Sequence, residues 1–484
     1  MENNNSKPHA IMFALPYQGH VTSSIHLAMK MASKGFSITF VNTEYIHHQI
    51  TKSSEPDHST GVRGEDDNIF AQARDSGLDI RCKTITDGFP LDFNRMLNQG
   101  QIADMNHVGF PAHVDELIGN LVKSDPSVSC LIADTFYTWA SRIAEKYKLV
   151  NISFWTQPAL VFNIFYHMDL LNTNGHFASY DKGTIDYIPG VKAIEPKDLP
   201  SFLQETDKTS LWYVDKAFAQ VKNADFILCN TIQELESDAI FALHEKPPIY
   251  AISPMVLSPL GFTKSTVPTS LMTTFDCSHW LNTKPQGSVL YISFGSFLPL
   301  EKSDIEEIAH GLVLSGVDFI WVLRGDAVSY EEPYVLPFEL ENKINKDKGL
   351  IVQWCNQVEV ISNPAIGGFL THCGWNSILE SLRYSGAPLL CFPLRGDQIT
   401  NRKLVVDDWR IGLNLCDRKP LARLEVAEKI KRLMNTKSDG DDLREQVIKV
   451  RQIVGNALAI DGSCEKNLDQ FMADLKAKIG ERSV

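Results

Sequence analysis

Short, nearly unbroken apolar runs recur along the chain, and between them apolar residues return at helical spacing. HAIMFAL, SITFVN, SCLIAD, NISFW and DFILCN mark the first half, and SVLYISF, DFIWVL, LIVQW, AIGGFL and APLLCF mark the second. These runs lack the strict alternation of a sheet with one wet face, so each predicts a strand covered by helices on both sides. Strands alternating with amphipathic stretches predict βαβ units, parallel sheets and an α/β fold class. The rhythm pauses in SPMVLSPLGFTKSTVPTS, which is rich in Pro, Ser and Thr and has no periodicity. We read 252–274 as a linker between an N-terminal unit, 1–251, and a second unit, 275–462. The final stretch, 463–484, is amphipathic again. TKSSEPDHSTGVRGEDDN, from Thr51 to Asn68, is too polar to offset the cost of ordering and predicts a mobile loop. GDAVSYEEPYVLP, from Gly325 to Pro337, predicts a second loop.

Composition narrows the function without naming it. A chain of 484 residues is too long for one ordinary core. Its net charge of −13 argues against nucleic acid or an anionic membrane as the main partner, because both require a basic surface. Nine cysteines, an odd number with no C-x-x-C pair, fit a reducing compartment. The opening MENNNSKPHAIMFALPYQGH lacks the basic region and long apolar core of a signal peptide. No window approaches the roughly 18 apolar residues of a membrane span, so a cytoplasmic protein without a transmembrane segment is expected.

Candidate chemistry concentrates between Trp354 and Gln398, in WCNQVEVISNPAIGGFLTHCGWNSILESLRYSGAPLLCFPLRGDQ. The Trp354 indole can stack on a base. The small-residue turn from Thr371 to Gly374 opens a predicted helix whose first amides can hold phosphates, and Glu380 lies one turn on, within reach of ribose hydroxyls. Asp397 and Gln398 follow a predicted strand, where an acid and an amide can hydrogen-bond a sugar at the ligand crevice. Basic residues are scarce here, Arg383 and Arg395 only, so a helix N-terminus would carry the phosphate charge. Two more candidates lie in the first half. His20 closes LPYQGH just after the first predicted strand, and a neutral imidazole there can take the proton of an attacking hydroxyl. Asp134 ends LIAD and can accept the other ring N–H; alternatively it caps the predicted helix TFYTWASRIAEKY. No G-x-G-x-x-G follows a strand with an acid some twenty residues on, which disfavours a nicotinamide dehydrogenase.

Together LPYQGH, LIAD, SVLYISFGS and the Trp354–Gln398 segment resemble the motifs of the plant UDP-dependent glycosyltransferases, glycosyltransferase family 1. NRKLVVDDW, from Asn401 to Trp409, resembles subfamily eighty-six within it. The resemblance implies a GT-B fold, two Rossmann-like domains facing across a cleft, with 463–484 crossing back onto the first. It implies an inverting hexosyltransferase that moves glucose from UDP-glucose to a hydroxyl of a small lipophilic plant metabolite, phenolic, flavonoid or terpenoid. His20 would be the general base and Asp134 its orienting acid. Ser296, Trp354, Cys355, Gln357, His372, Gly374, Trp375, Asn376, Ser377, Glu380, Asp397 and Gln398 would hold the donor. No metal and no tightly bound cofactor are expected, nor any nucleic-acid partner, and a monomer is expected. The aromatic run NISFWTQPALVFNIFYHM fits an acceptor wall or ordinary core equally well.

This sequence departs from that pattern twice. Trp354–Gln398 is one residue longer than the family's box, the excess lying in ESLRYSGAP, and Ser23 stands where the family carries Pro. The first departure supports an alternative, a UDP-sugar-binding GT-B protein whose transfer is impaired by a distorted donor box. Ser23 and Ser24 are expected to cap the helix that follows His20.

Overall fold

The computed structural model describes residues 7–54, 69–177, 179, 182–205, 208–243, 247–253, 270–329, 333–344, 347–416, 419–435 and 439–482. Most of the expected linker, at 254–269, and most of the expected mobile loop, at 55–68, lie outside these residues, as do 330–332 of the second loop.

All ten predicted runs form strands. In the first sheet these are β1 (His9–Phe13), β2 (Ser37–Thr43), β4 (Val128–Asp134), β5 (Val150–Trp155) and β6 (Phe226–Asn230), joined by β3 (Ile80–Ile85) and β7 (Ile249–Ile252). The second contains β8 (Val289–Ser293), β9 (Asp318–Val322), β10 (Gly349–Val352), β11 (Ile366–Thr371) and β12 (Leu389–Cys391), joined by β13 (Gly412–Asn414). Every pairing is parallel, in the orders β3-β2-β1-β4-β5-β6-β7 and β10-β9-β8-β11-β12-β13. The three strands that apolar runs did not reveal all lie at a sheet edge. β3 shows why: only its two end residues are buried, and Arg81 and Lys83 interrupt any apolar run. β7 and β13 are only four and three residues long.

Both central strands are buried from end to end, as strands between helical layers must be. The helix Ser463–Arg482 is last in the chain, yet it completes the core of the first sheet. Its Leu468, Phe471, Met472 and Leu475 are buried with Phe226 and Ile252, and Phe471 meets Phe226 edge-on at 5.7 Å. Arg482 anchors its end through two 2.8 Å contacts to Asp225.

Packing corrects or settles the remaining local expectations. The helix after Asp134 starts only at Ala140, because 135–139 form a turn. The aromatic run after Asn151 is core: Trp155, Phe162 and Phe165 surround Phe218 at centroid distances of 5.1 to 5.5 Å, and all four are buried. Ser23 and Ser24 do not cap the Gln18–Ser33 helix; they lie buried within it, and Tyr17 is its N-cap residue.

Candidate active site

In each sheet the chain winds outward from a central strand, then returns to that strand's other side: β4 beside β1, and β11 beside β8. Connections leaving the two central strands diverge at such a reversal and open a crevice beyond their carboxyl ends. Register brings those ends level, with Phe13 opposite Ala133 and Ser293 opposite Thr371. His20 and Asp134 therefore follow the reversal in the first sheet, and Ser296 and His372–Ser377 follow the one in the second.

His20 is the third residue of the helix Gln18–Ser33, with its side chain 16% exposed, while that of Asp134 is 1% exposed. Its Nδ1 lies 2.6 Å from Asp134 Oδ2 and 2.9 Å from Thr156 Oγ1. Asp134 Oδ1 accepts the N–H of Phe136 at 3.0 Å. One carboxylate thus holds the imidazole with one oxygen and caps the turn with the other. An N–H at Nδ1 donated to Asp134 leaves Nε2 as the basic nitrogen. Thr156 was not legible in the sequence, since only the order β1-β4-β5 brings the end of β5 to His20.

Across the crevice, 372–374 link the end of β11 to the next helix as irregular chain rather than the expected turn. Cys373 has φ of 65°, and its N–H reaches Thr371 Oγ1 at 3.2 Å. The helix Trp375–Tyr384 follows, with Gly374 as N-cap residue and no side-chain cap, so its leading amides and the positive end of its dipole lack that partner. The His372 ring fills the space between two glycines: a Cβ at Gly295 or Gly374 would stand 2.5 or 2.4 Å from its Nε2. Burial pushes the His372 pKa down to about 4, against a hydrogen bond to the Ser293 backbone that favours the charged form, so the ring is neutral. Any phosphate contact it makes is that of a neutral donor. Arg324, itself buried, braces the loop bearing Ser296 by donating to Gly295 O at 2.9 Å and Leu298 O at 3.0 Å.

Gln357 opens a short helix, and its Nε2 lies 2.7 Å from Glu380 Oε2 and 3.0 Å from Ser377 Oγ. The Tyr291 hydroxyl donates to Gln357 Oε1 at 3.2 Å and lies 3.6 Å from Cys355 Sγ, so buried Cys355 sits behind this group. Burial pushes Glu380 up to about 7. The Trp354 indole N–H donates to Ser270 Oγ at 3.1 Å.

Past β12, Asp397 is held by Asn401 Nδ2 at 2.7 Å, and burial pushes it up to about 6. Gln398 Oε1 accepts the N–H groups of Leu394 and Arg395 at 2.9 and 3.2 Å. The first half of the chain clasps this loop through Glu205 on Arg395, at 2.9 and 2.7 Å, and through Ser201 on both backbone groups of Gly396, at 2.8 and 3.0 Å. The preceding helix ends at Tyr384, and 385–388 run without regular structure into β12; ESLRYSGAP is thus helix up to Tyr384 and irregular chain beyond it.

The side chains of Trp375 and Asn376 cross to the first half of the chain. Trp375 Nε1 donates to Asn230 O at 2.6 Å, and Asn376 Nδ2 to Gly19 O at 2.7 Å. Among the described residues, no group of three or more His, Cys, Asp and Glu could hold a metal ion, and no helix is long and apolar enough to cross a membrane.

The second crevice thus combines an indole face, an uncapped helix start, a neutral imidazole and a partly buried carboxyl, a set suited to a nucleoside diphosphate. Comparison with known proteins agrees. A family model described as "UDP-glucoronosyl and UDP-glucosyl transferase" matches residues 271–452. The chain is 54% identical to UDP-glycosyltransferase 86A1 of Arabidopsis thaliana over 98% of its own length and 95% of that protein's. It is 32% identical to 7-deoxyloganetin glucosyltransferase of Catharanthus roseus, over 98% of both chains. Among solved structures, Os79 from O. sativa in complex with UDP superposes with a TM-score of 0.79 at 25% identity, covering 96% of this chain and 100% of that one. The chain belongs to the plant family 1 UDP-glycosyltransferases, resembles subfamily 86, and has their GT-B fold.

Proposed function

We propose that this UDP-glycosyltransferase moves glucose from UDP-glucose to a hydroxyl of a small lipophilic plant metabolite, with inversion at the anomeric carbon. The observation that carries the reading is the His20–Asp134 pair, 2.6 Å apart at one reversal point, opposite an uncapped helix start at the other. The acceptor oxygen attacks the anomeric carbon while its proton passes to His20 Nε2. The bond from that carbon to the β-phosphate oxygen breaks, and UDP leaves with the electron pair. Asp134 steadies the imidazolium that results. No covalent enzyme intermediate is needed.

On this reading Trp354 stacks on the uracil, Gln357 and Glu380 take the ribose hydroxyls, and Asp397 with the Gln398 amide takes the glucose. Negative charge gathering on the β-phosphate meets His372, Ser377, Ser296 and the amides of Asn376 and Ser377, fixed donors that need no metal. The name of the Catharanthus roseus relative supports glucose as the sugar. A cavity beside Tyr17, lined by Tyr45, Phe89, Met96, Met105 and Phe297, supports a lipophilic acceptor. Its one ion pair, Arg95 with Asp87 at 2.7 and 2.8 Å, is internally neutralised and so favours an uncharged ligand. In this scheme 1–251 holds the acceptor, 252–274 links, 275–462 holds the donor, and 463–484 ties back. The enzyme acts as a cytoplasmic monomer, in keeping with nine free cysteines.

Purified protein given UDP-glucose and pooled phenols, flavonoids and terpenols is expected to yield a hexose adduct by mass spectrometry. His20→Ala is expected to lose about 10²- to 10⁴-fold in turnover while still binding UDP. A protein that binds UDP-glucose yet transfers to no acceptor would instead be the binding protein with impaired transfer.

A further inference from the structure

Ser23 lies one turn beyond His20 on the same helix and is fully buried. It occupies the position at which the resembled family carries Pro, a residue with no hydroxyl to offer. Its Oγ donates to Gly19 O at 2.9 Å, lies 3.3 Å from Asn376 Oδ1, and accepts from Asn230 Nδ2 at 3.3 Å. Asn376 Nδ2 reaches the same Gly19 carbonyl at 2.7 Å, and Asn230 Nδ2 reaches Asn376 Oδ1 at 3.2 Å. Contact is close enough that a Cβ on Gly19 would stand 2.8 Å from Asn376 Nδ2. Asn230 is fully buried, and its Oδ1 finds no protein partner.

Four residues therefore form a polar node at the seam, with Ser23 and Asn230 fully buried and Gly19 and Asn376 partly so. Gly19 and Ser23 come from the helix bearing His20, Asn230 from the end of β6, and Asn376 from the first turn of the helix assigned to the phosphates. Gly19 and His20 share a peptide bond, so a shift of Asn376 is passed to the base through one rigid plane. Hydrogen bonds in such a node polarise one another, and losing one leaves buried partners unsatisfied.

We propose that Ser23, together with Asn230, is a positioning residue that locks the His20 helix to the Trp375–Tyr384 helix and so sets the distance from base to leaving group. The proposal rests on the assignment of His20 as base. Reaction rates fall steeply when reacting groups are misplaced by an ångström or less, whereas the groups assigned to the uracil, ribose and glucose lie outside the node.

The test compares wild type, Ser23→Ala, Asn230→Ala, the double variant and His20→Ala. It measures kcat, acceptor KM, UDP affinity and stoichiometry, and melting temperature. Ser23→Ala is expected to lower kcat about three- to ten-fold at every pH, with UDP affinity and stoichiometry unchanged. The double variant is expected to lose no more than the worse single one, because both act through one node. Wild-type kcat in Ser23→Ala beside an inactive His20→Ala overturns the positioning role alone. A fall in kcat matched by an equal fall in UDP-binding stoichiometry also overturns it, since that is the signature of lost folded protein; a lower melting temperature with full stoichiometry is what unsatisfied partners in the node produce. Full turnover in His20→Ala removes the assignment of the base on which the proposal stands.

Discussion

Two helices start at the two reversal points, and they make an instructive pair. Gln18–Ser33 follows β1 and Trp375–Tyr384 follows β11, and neither N-cap residue supplies a side-chain cap. From there they diverge. The first presents one side chain, His20, whose orientation depends on Asp134 and Thr156, 114 and 136 residues away in sequence. The second presents mainly its own backbone, shaped by its neighbours Gly374, Cys373 and His372 and by Gly295 just past the end of β8. A side chain that moves a proton must be aimed from several directions, and long-range partners do the aiming. Phosphate charge can be met by amides already aligned by the helix, so a short contiguous segment suffices.

The contrast can be broken most strongly at Asp134. Asp134→Asn keeps an oxygen for the Phe136 N–H but turns an amide toward His20 Nδ1, forcing the ring proton onto the nitrogen that should be basic. Turnover at saturating substrates is expected to fall about 10²-fold or more, with UDP affinity intact. Steady-state kinetics beside calorimetry would read both, and wild-type turnover would refute the orienting role. On the other side, Gly374→Ala drives a Cβ to 2.4 Å from Nε2 of the partly buried His372 ring. Such overpacking costs about 1–3 kcal/mol, so UDP binding should weaken roughly tenfold or more, while kcat at saturating donor changes less. Unchanged affinity would show that the loop yields without disturbing the phosphate site.

The smallest effect sharpens the comparison through pH. Burial holds Glu380 at about 7, so below neutrality much of it is protonated in the free protein. Ribose hydroxyls that donate to the carboxylate favour its ionised form and lower its pKa. Binding then releases a proton, and affinity rises as pH climbs from 6 to 8, by a few-fold for a shift of about half a unit. Calorimetry in buffers of different ionisation enthalpy should detect that proton, and Glu380→Gln should abolish it. A binding constant flat across this range in the native protein would remove Glu380 from the ribose.

Legibility in the sequence divided along the same line. The ten strands were visible because covered parallel strands are apolar along their whole length. β3, β7 and β13 were not, because edge strands bury less and run short. Residues 354–398 could be read as one site because a strand, a loop and a helix start adjacent in sequence are adjacent in space. Thr156, Asn230, Arg324 and Glu205 carry no local signal and enter the site only through sheet order and the seam. The aromatic run after Asn151 could have been wall or core, and only packing around Phe218 assigned it.

The sequence alone determined the features that depend on nearest neighbours: parallel α/β architecture from run length and period, the helix start after Gly374, and a contiguous set of residue types that suits a nucleotide sugar. Tertiary structure decided whatever needed two distant segments to meet. It placed both Asp134 oxygens, neutralised His372 and raised Glu380 by burial, and turned the Trp375 and Asn376 side chains onto the opposite half of the chain. The physical reason is that local conformation depends on a few dihedral angles and their neighbours, whereas burial and long-range hydrogen bonds exist only after both sheets have closed around the cleft.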